Sequence, residues 1–298
     1  MSGCARSVRR SSAWMGRKRD SGTAGQQGRT SAEEGERRGA LGAHFVASEV
    51  REVSVPGPVP RFEIPGWRAQ HGVIAGITGR GAEAGRGFDL GLWSMEPIGE
   101  VMTRWLTFRR ELSEFHAVAL GNQVHGVELM SLDSGRGWIH VQGIDGWVTA
   151  SPGILLTVTV ADCVPVYLVA PGKAIALLHA GWRGTAGGII SKGVSLLCQQ
   201  TGARSADLIM HCGVGICGLC YEVGSEVMRG CGLPAEGKGP WHLDLRQQLE
   251  AQARRLGLTQ VTTSTWCSAH DRKDFYSHRA SGGSDGRMVG YIGIPMGQ

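Results

Sequence analysis

Three apolar segments stand almost end to end in this chain, at 154–160, 164–169 and 174–178, and they constrain the fold more than any other feature. Each is five to seven residues long, rich in Val, Leu and Ile, and bounded by turn-forming residues. Segments of that length and composition read as buried strands. The 153–170 stretch is interrupted by Asp162 and Pro165, which excludes a membrane span of roughly 20 unbroken apolar residues. Further strands are expected at 73–78, 118–120, 126–130, 208–211, 261–266 and 288–294. Pro97 is placed to open a helix whose face carries Ile98, Val101, Met102, Trp105, Phe108 and Leu112. A second helix carries Ile190, Val194 and Leu197 and stops at Gly202. A third opens on the capping-box pair Asp244 and Gln247, buries Leu245, Leu249, Ala253 and Leu256, and closes at Gly257. Many strands with few helices, and no strict βα alternation, give an α+β fold with mixed sheets.

Residues 1–58 lack hydrophobic periodicity and are expected to form a disordered basic tail, followed by one catalytic domain at 59–298. An Arg- and Ser-rich, acid-poor start also describes a transit peptide or a start codon placed too far upstream. The formal charge of +5 arises in the first 40 residues, with nine basic and four acidic side chains. The rest carries 22 of each and is neutral. A neutral body argues against a nucleic-acid partner, and a phosphorylated ligand needs a local anion-binding device. Eight cysteines without a signal-peptide pattern point to a reducing, cytoplasmic setting with thiols free for metal or packing.

Polar residues interrupt or follow the strands in three places: Gln123-Val124-His125, Ala161-Asp162-Cys163-Val164-Pro165 and His179-Ala180-Gly181-Trp182-Arg183-Gly184. His125, Cys163 and His179 offer two imidazoles and a thiolate, a donor set for a borderline-soft ion with one position left open. The alternative is a small buried thiol and two ordinary turn histidines. Gly181, Gly184, Gly187 and Gly188 surround a turn leading into a helix, where backbone N–H groups and Arg183 could hold phosphate or a carboxylate. The C-x4-C-x2-C spacing of Cys212, Cys217 and Cys220 is a rival motif, for an iron–sulfur cluster or for zinc with His211.

Taken in order, these segments resemble the laccase-domain (polyphenol oxidase-like, peptidoglycan-editing-factor) family. Cys220-Tyr221-Glu222-Val223-Gly224, and the stretch from Cys267-Ser268 through Phe275 and Arg279 to Gly286-Arg287, extend the resemblance over about residues 65–295. Val214 stands where the family usually has proline, Phe88-Asp89-Leu90-Gly91 where Asn-Leu-Gly is common, and His278 where an aromatic is usual. The resemblance implies two mixed β-sheets flanked by helices in α/β/β/α layers, with a cysteine-hydrolase-like topology. It implies a Zn2+ ion held by His125, Cys163 and His179, with Cu2+ as the alternative ion. The implied activity is phosphorolysis of adenosine, inosine, guanosine and methylthioadenosine, plus adenosine deamination. The partners are then a purine nucleoside and phosphate, with neither nucleic acid nor membrane. Cys163, Asp162 and Arg183 are the expected catalytic residues; Gln123, Arg183 and Arg279 are the expected substrate contacts. Two other activities fit the same residues. A copper polyphenol oxidase suits the donor set, but the ten histidines contain no H-x-H pair. A cysteine amidase editing peptidoglycan precursors would use Cys163 as nucleophile and His179 or His125 as base.

Overall fold

The three apolar runs are strands, and they lie in the middle of two large sheets. The computed structural model describes residues 48–81, 87–94 and 96–297. In chain order the strands are β1 (Ser48–Val50), β2 (Val53–Val55), β3 (Arg61–Glu63), β4 (Ile74–Thr78), β5 (Ala117–Asn122), β6 (Leu129–Ser131), β7 (Gly137–Gln142), β8 (Gly146–Thr149), β9 (Ile154–Val160), β10 (Val164–Ala170), β11 (Ala174–Ala180), β12 (Ile209–Cys212), β13 (Glu222–Val223), β14 (Trp241–His242), β15 (Gln260–Ser264) and β16 (Met288–Gly293). The helices are α1 (Trp67–His71), α2 (Ile98–Glu111), α3 (Trp182–Ala186), α4 (Ile189–Thr201), α5 (Ser225–Gly230) and α6 (Leu245–Arg255).

One seven-stranded sheet runs β1-β15-β12-β10-β11-β8-β6 and the other β2-β3-β4-β16-β9-β5-β7. Both are mixed: β10 pairs antiparallel with β11 and β12, and β12 pairs parallel with β15. In the second sheet β9 pairs antiparallel with β16 and parallel with β5. Side chains alternate along a strand, and here each face has its own layer to fill. On β10, Val164, Val166, Leu168 and Ala170 pack with Ile190, Val194 and Leu197 of α4 and Leu249 and Ala253 of α6. Tyr167 and Val169 face the other way, into the layer between the sheets, with Leu156, Val158, Ile175 and Leu177. The outer face of the second sheet is covered by Val101, Trp105 and Phe108 of α2, against Ile74, Val118, Leu155 and Tyr291. The result is the α/β/β/α layering that was expected. Strands buried on both faces are apolar throughout, which explains runs too uniform to show alternation.

Several expectations need correction. Order begins before residue 59: β1 pairs with β15, β2 pairs with β3, and Glu52 is buried against His211 and Ser264. Strand pairing and one buried carboxylate hold this segment, neither of which has an apolar signature. The earlier part of the expected tail, 1–47, lies outside the described residues. Ile98 is 57% exposed and does not share the buried face of α2. Asp244 caps α6 by accepting from the Arg246 N–H at 2.9 Å, and the expected reciprocal box with Gln247 does not form. The strand expected at 126–130 starts at Leu129, because 124–126 is tied down as a loop. Among the described residues no helix is long and apolar enough to cross a membrane.

Trp105 is fully buried and donates from its indole N–H to the Leu90 carbonyl at 3.0 Å. Trp105→Ala is expected to cost about 3–5 kcal/mol, and Ile98→Ala within about 0.5 kcal/mol of nothing. Urea unfolding of both variants checks this; equal losses would contradict the assignment of the α2 face.

Candidate metal centre

The chain passes from the second sheet to the first between β9 and β10, and Cys163 sits in that crossover. His179 lies near the end of β11, opposite Pro165 of β10. It shares the strand parity of Ile175 and Leu177, so its ring enters the inter-sheet layer. His125 comes from the loop after β5. The three residues therefore meet at one end of the seam, with one donor atom each, all within 4.8 Å of one another. The rings of His125 and His179 stand 4.8 Å apart, nearly perpendicular. A Cβ added at Gly181 would lie 3.1 Å from both the Cys163 sulfur and the His125 ring, so a side chain there would crowd the two donors.

Sequence reasoning missed the residue that arranges these donors. Asp145 precedes β8 and is completely buried. Its Oδ1 accepts from His125 N–H and pairs with His179 Nδ1, both at 2.9 Å. Its Oδ2 accepts from Gly126 N–H at 2.7 Å and Val124 N–H at 3.3 Å. One carboxylate thus shapes the His125 loop and directs His179 Nε2 toward the centre, the usual role of a carboxylate behind a ligating histidine. Burial alone would raise the Asp145 pKa, but His179 and the backbone N–H groups hold it below the ordinary value. Burial likewise pushes the Cys163 thiol up, yet the His179 charge and hydrogen bonds from both histidines bring it down to about 6. His179 goes the other way. Burial opposes its charge, but Cys163 and Asp145 raise it to about 9. With no metal bound, the two opposite shifts favour a thiolate beside an imidazolium.

Among the described residues, two that are not glycine have positive φ, His125 at 60° and Asp162 at 84°. Such conformations cost of order 1–3 kcal/mol and persist where surroundings impose them. Asp145 imposes the first. At Asp162, the carboxylate accepts from Ser268 Oγ at 2.6 Å and Arg279 N–H at 2.7 Å, and the carbonyl accepts from Ile216 N–H. The amide of Gln123 is engaged with Thr159 through three hydrogen bonds of 2.7–2.9 Å, clasping the ends of β5 and β9.

All seven residues expected from sequence line one cavity of about 410 Å3, within the range of small-molecule sites. Trp93, Trp182 and Tyr221 add aromatic surface. Arg183 lies 4.5 Å over the Trp182 ring and Arg279 5.0 Å over the Tyr221 ring. Arg287 lines the same cavity. Arg279 and Arg287 donate to backbone carbonyls, and among the described residues none of the three guanidinium groups pairs with a carboxylate. Asp89, from the segment that departs from Asn-Leu-Gly, does not reach the cavity: its Oδ1 accepts from Gly91 and Arg287 N–H groups.

The model of the multi-copper polyphenol oxidoreductase laccase family matches residues 70–295. The chain belongs to that family. Among relatives, it is 33% identical over 247 residues to the purine nucleoside phosphorylase YlmD of Geobacillus stearothermophilus, covering 74% of this chain and 90% of that one. It is 30% identical to the adenosine deaminase RL5 of an unknown prokaryotic organism, covering 74% and 93%. The crystal structure of YlmD from Geobacillus stearothermophilus superposes with a TM-score of 0.73 at 28% identity, covering 82% of this chain and all of that one. The laccase-family resemblance read from motifs is thus borne out, as is the two-sheet fold.

Asp145→Asn places an amide N–H against the N–H groups of Val124 and Gly126, and removes the charge that supports the His179 cation. Metal affinity is expected to fall about 10–100-fold, measured by competition with a chelator. In metal-stripped protein, iodoacetamide should alkylate Cys163 with a midpoint near pH 6 in the parent and at higher pH in the variant. Unchanged affinity together with an unchanged midpoint would contradict the role given to Asp145.

Proposed function

We propose that the chain is a zinc-dependent purine nucleoside phosphorylase, acting on adenosine, inosine, guanosine or methylthioadenosine, with adenosine deaminase activity. The observation that carries this reading is the cavity: a His–Cys–His donor set lies beside aromatic faces and three guanidinium groups that, among the described residues, have no carboxylate partner. Aromatic faces suit a purine, and guanidinium groups whose charge no carboxylate neutralises suit phosphate. The names of the relatives, phosphorylase and deaminase, point the same way.

His125, Cys163 and His179 would hold the ion, which supplies Lewis acidity to a polar atom of the bound ligand. Arg183, Arg279 and Arg287 hold phosphate near ribose C1′. A phosphate oxygen bonds to C1′ as the bond from C1′ to the purine nitrogen breaks. The base leaves with that electron pair, and the proton it gains balances the one phosphate gives up. Asp162, with both carboxylate oxygens engaged, acts by positioning the crossover and the Arg279 loop. Gln123 has the same kind of role at the ends of β5 and β9. For deamination, water adds at purine C6 and ammonia departs.

One observation favours a second reading. Cys163, His179 and Asp145 form a thiolate, imidazolium and carboxylate in series, the arrangement of a cysteine hydrolase. Such an enzyme would work without metal and edit amide bonds, as the cell-wall alternative requires. The copper-oxidase alternative lacks comparable support. Among the described residues the candidate metal groups are His125–Cys163–His179 and one sulfur-rich set, and neither contains the H-x-H pairs of a multi-copper cluster.

With inosine and phosphate, the zinc-loaded protein is expected to release hypoxanthine and ribose 1-phosphate. Arg183→Ala should raise KM for phosphate about 10–100-fold, matching about 1.5–3 kcal/mol for a hydrogen bond to a charged group. Cys163→Ala should abolish turnover. Full phosphorolysis by Cys163→Ala would refute the reading. Amide hydrolysis that survives chelation would select the hydrolase instead.

A further inference from the structure

A second group of metal-binding side chains lies outside this centre. Cys217, Cys220, Cys267 and His270 each present a donor atom, all within 4.8 Å of one another. Their spacing is C-x2-C in one loop and C-x2-H in another, 47 residues later. Three sulfurs and one imidazole make the Cys3His donor set of structural zinc sites, and the C-x2-C spacing is theirs as well. Tetrahedral zinc with bonds of about 2.3 Å to sulfur and 2.0–2.1 Å to nitrogen spaces its ligands by about 3.4–3.8 Å. The four donors are therefore already within about 1 Å of that arrangement.

The sequence motif named a different set. Cys212 lies on β12 with its side chain in the layer under α4 and α6. His211 is engaged by Glu52 at 3.1 Å and Thr262 at 2.8 Å. Neither belongs to the cluster. Cys267 and His270 replace them, because a bridge between Gly215 and Cys267 brings the two loops side by side.

The surroundings suit a bound ion. Cys217 N–H points at the Cys267 sulfur at 3.3 Å, and the Cys217 sulfur lies 3.6 Å from His270 Nδ1. The turn from Cys217 to Cys220 is closed by a bond from Cys220 N–H to the Cys217 carbonyl. The turn after Cys267 is closed by Asp271, whose carboxylate accepts from Cys267 N–H at 2.8 Å. Zinc with three thiolates carries a net negative charge. A buried guanidinium, Arg246, lies within electrostatic reach of Cys217 and Cys267, held by Asp244 and by the carbonyls of Ser264 and Trp266.

We infer that Cys217, Cys220, Cys267 and His270 form a second, structural zinc site that staples the 215–221 loop to the 266–271 loop. The first loop forms part of the cavity wall, and the second braces the crossover behind it. Ile216 and Tyr221 line the cavity, Ile216 N–H binds the Asp162 carbonyl, and Ser268 binds the Asp162 carboxylate. The staple thus supports the segment that carries Cys163 without touching the substrate space with its own ligands.

The test is zinc content by elemental analysis of the full chain after dialysis against zinc-free buffer. Cys163→Ala is expected to keep one zinc per chain, and Cys217→Ser in that background to lose it. His270→Ala, at an exposed position, keeps the fold measurable by circular dichroism and should also lower occupancy. Cobalt loading of Cys163→Ala should give the intense thiolate-to-cobalt absorption of a sulfur-rich tetrahedral site. If the first centre holds no metal, the parent carries one zinc and Cys217→Ser carries none, so failure of that reading is distinguishable. The inference is overturned if zinc content is insensitive to Cys217→Ser, if iron is found instead, or if the intact mass shows these cysteines joined as a disulfide.

Discussion

A single buried carboxylate sets the geometry on which the functional reading depends. Asp145 is enclosed between the sheets and accepts four hydrogen bonds, three from successive backbone N–H groups at 124–126 and one from His179. A charge in that position is tolerable only when so fully paired. Because its partners belong to two donor-bearing segments, satisfying the charge also fixes the donors. His125 takes a left-handed conformation, and the His179 ring is oriented with Nδ1 on Asp145 and its other nitrogen toward Cys163. Stability and site formation are here the same interaction.

The seam between the sheets supplies the rest. β9 and β10 belong to different sheets, so the crossover between them must turn sharply where the layers separate. Asp162 adopts positive φ at that turn, and the following residue, Cys163, faces the two histidines. The loops containing Ile216, Ser268 and Arg279 all bind Asp162. The crossover is thus braced from the side that forms the cavity wall. A site at such a junction draws on strands far apart in sequence, which accounts for the 38- and 16-residue gaps between its donors.

The parts visible in the sequence were those written in hydrophobic pattern or in motif order. The runs that became β9, β10 and β11 announced buried strands, and the periodicities of α2, α4 and α6 announced helices. The donor triad was legible through its motifs, not through its spacing. Asp145 was hidden because a lone aspartate beside Gly146-Trp147 has no local signature; its partners are 20 and 34 residues away. The strand after it, β8, is four residues long and carried no pattern either. Gln123, expected as a substrate contact, does line the cavity, but its amide is engaged by Thr159, a pairing 36 residues apart that no local pattern reveals. The cysteine cluster failed for a related reason. Spacing joined Cys212 to Cys217 and Cys220, but the bridge from Gly215 to Cys267 that brings in Cys267 and His270 spans 52 residues. Ordered structure before residue 59 was missed because edge strands such as β1 need little apolar content.

The central claim is that His125, Cys163 and His179 jointly bind one divalent ion, oriented by Asp145. Diffraction from crystals grown with zinc, collected on both sides of the zinc absorption edge, tests it directly. An anomalous peak bonded to Cys163 Sγ, His179 Nε2 and a ring nitrogen of His125, with Asp145 still on His179 Nδ1, is the predicted result. A map with no anomalous density among these three side chains, from crystals in which zinc is bound elsewhere on the chain, would contradict the account.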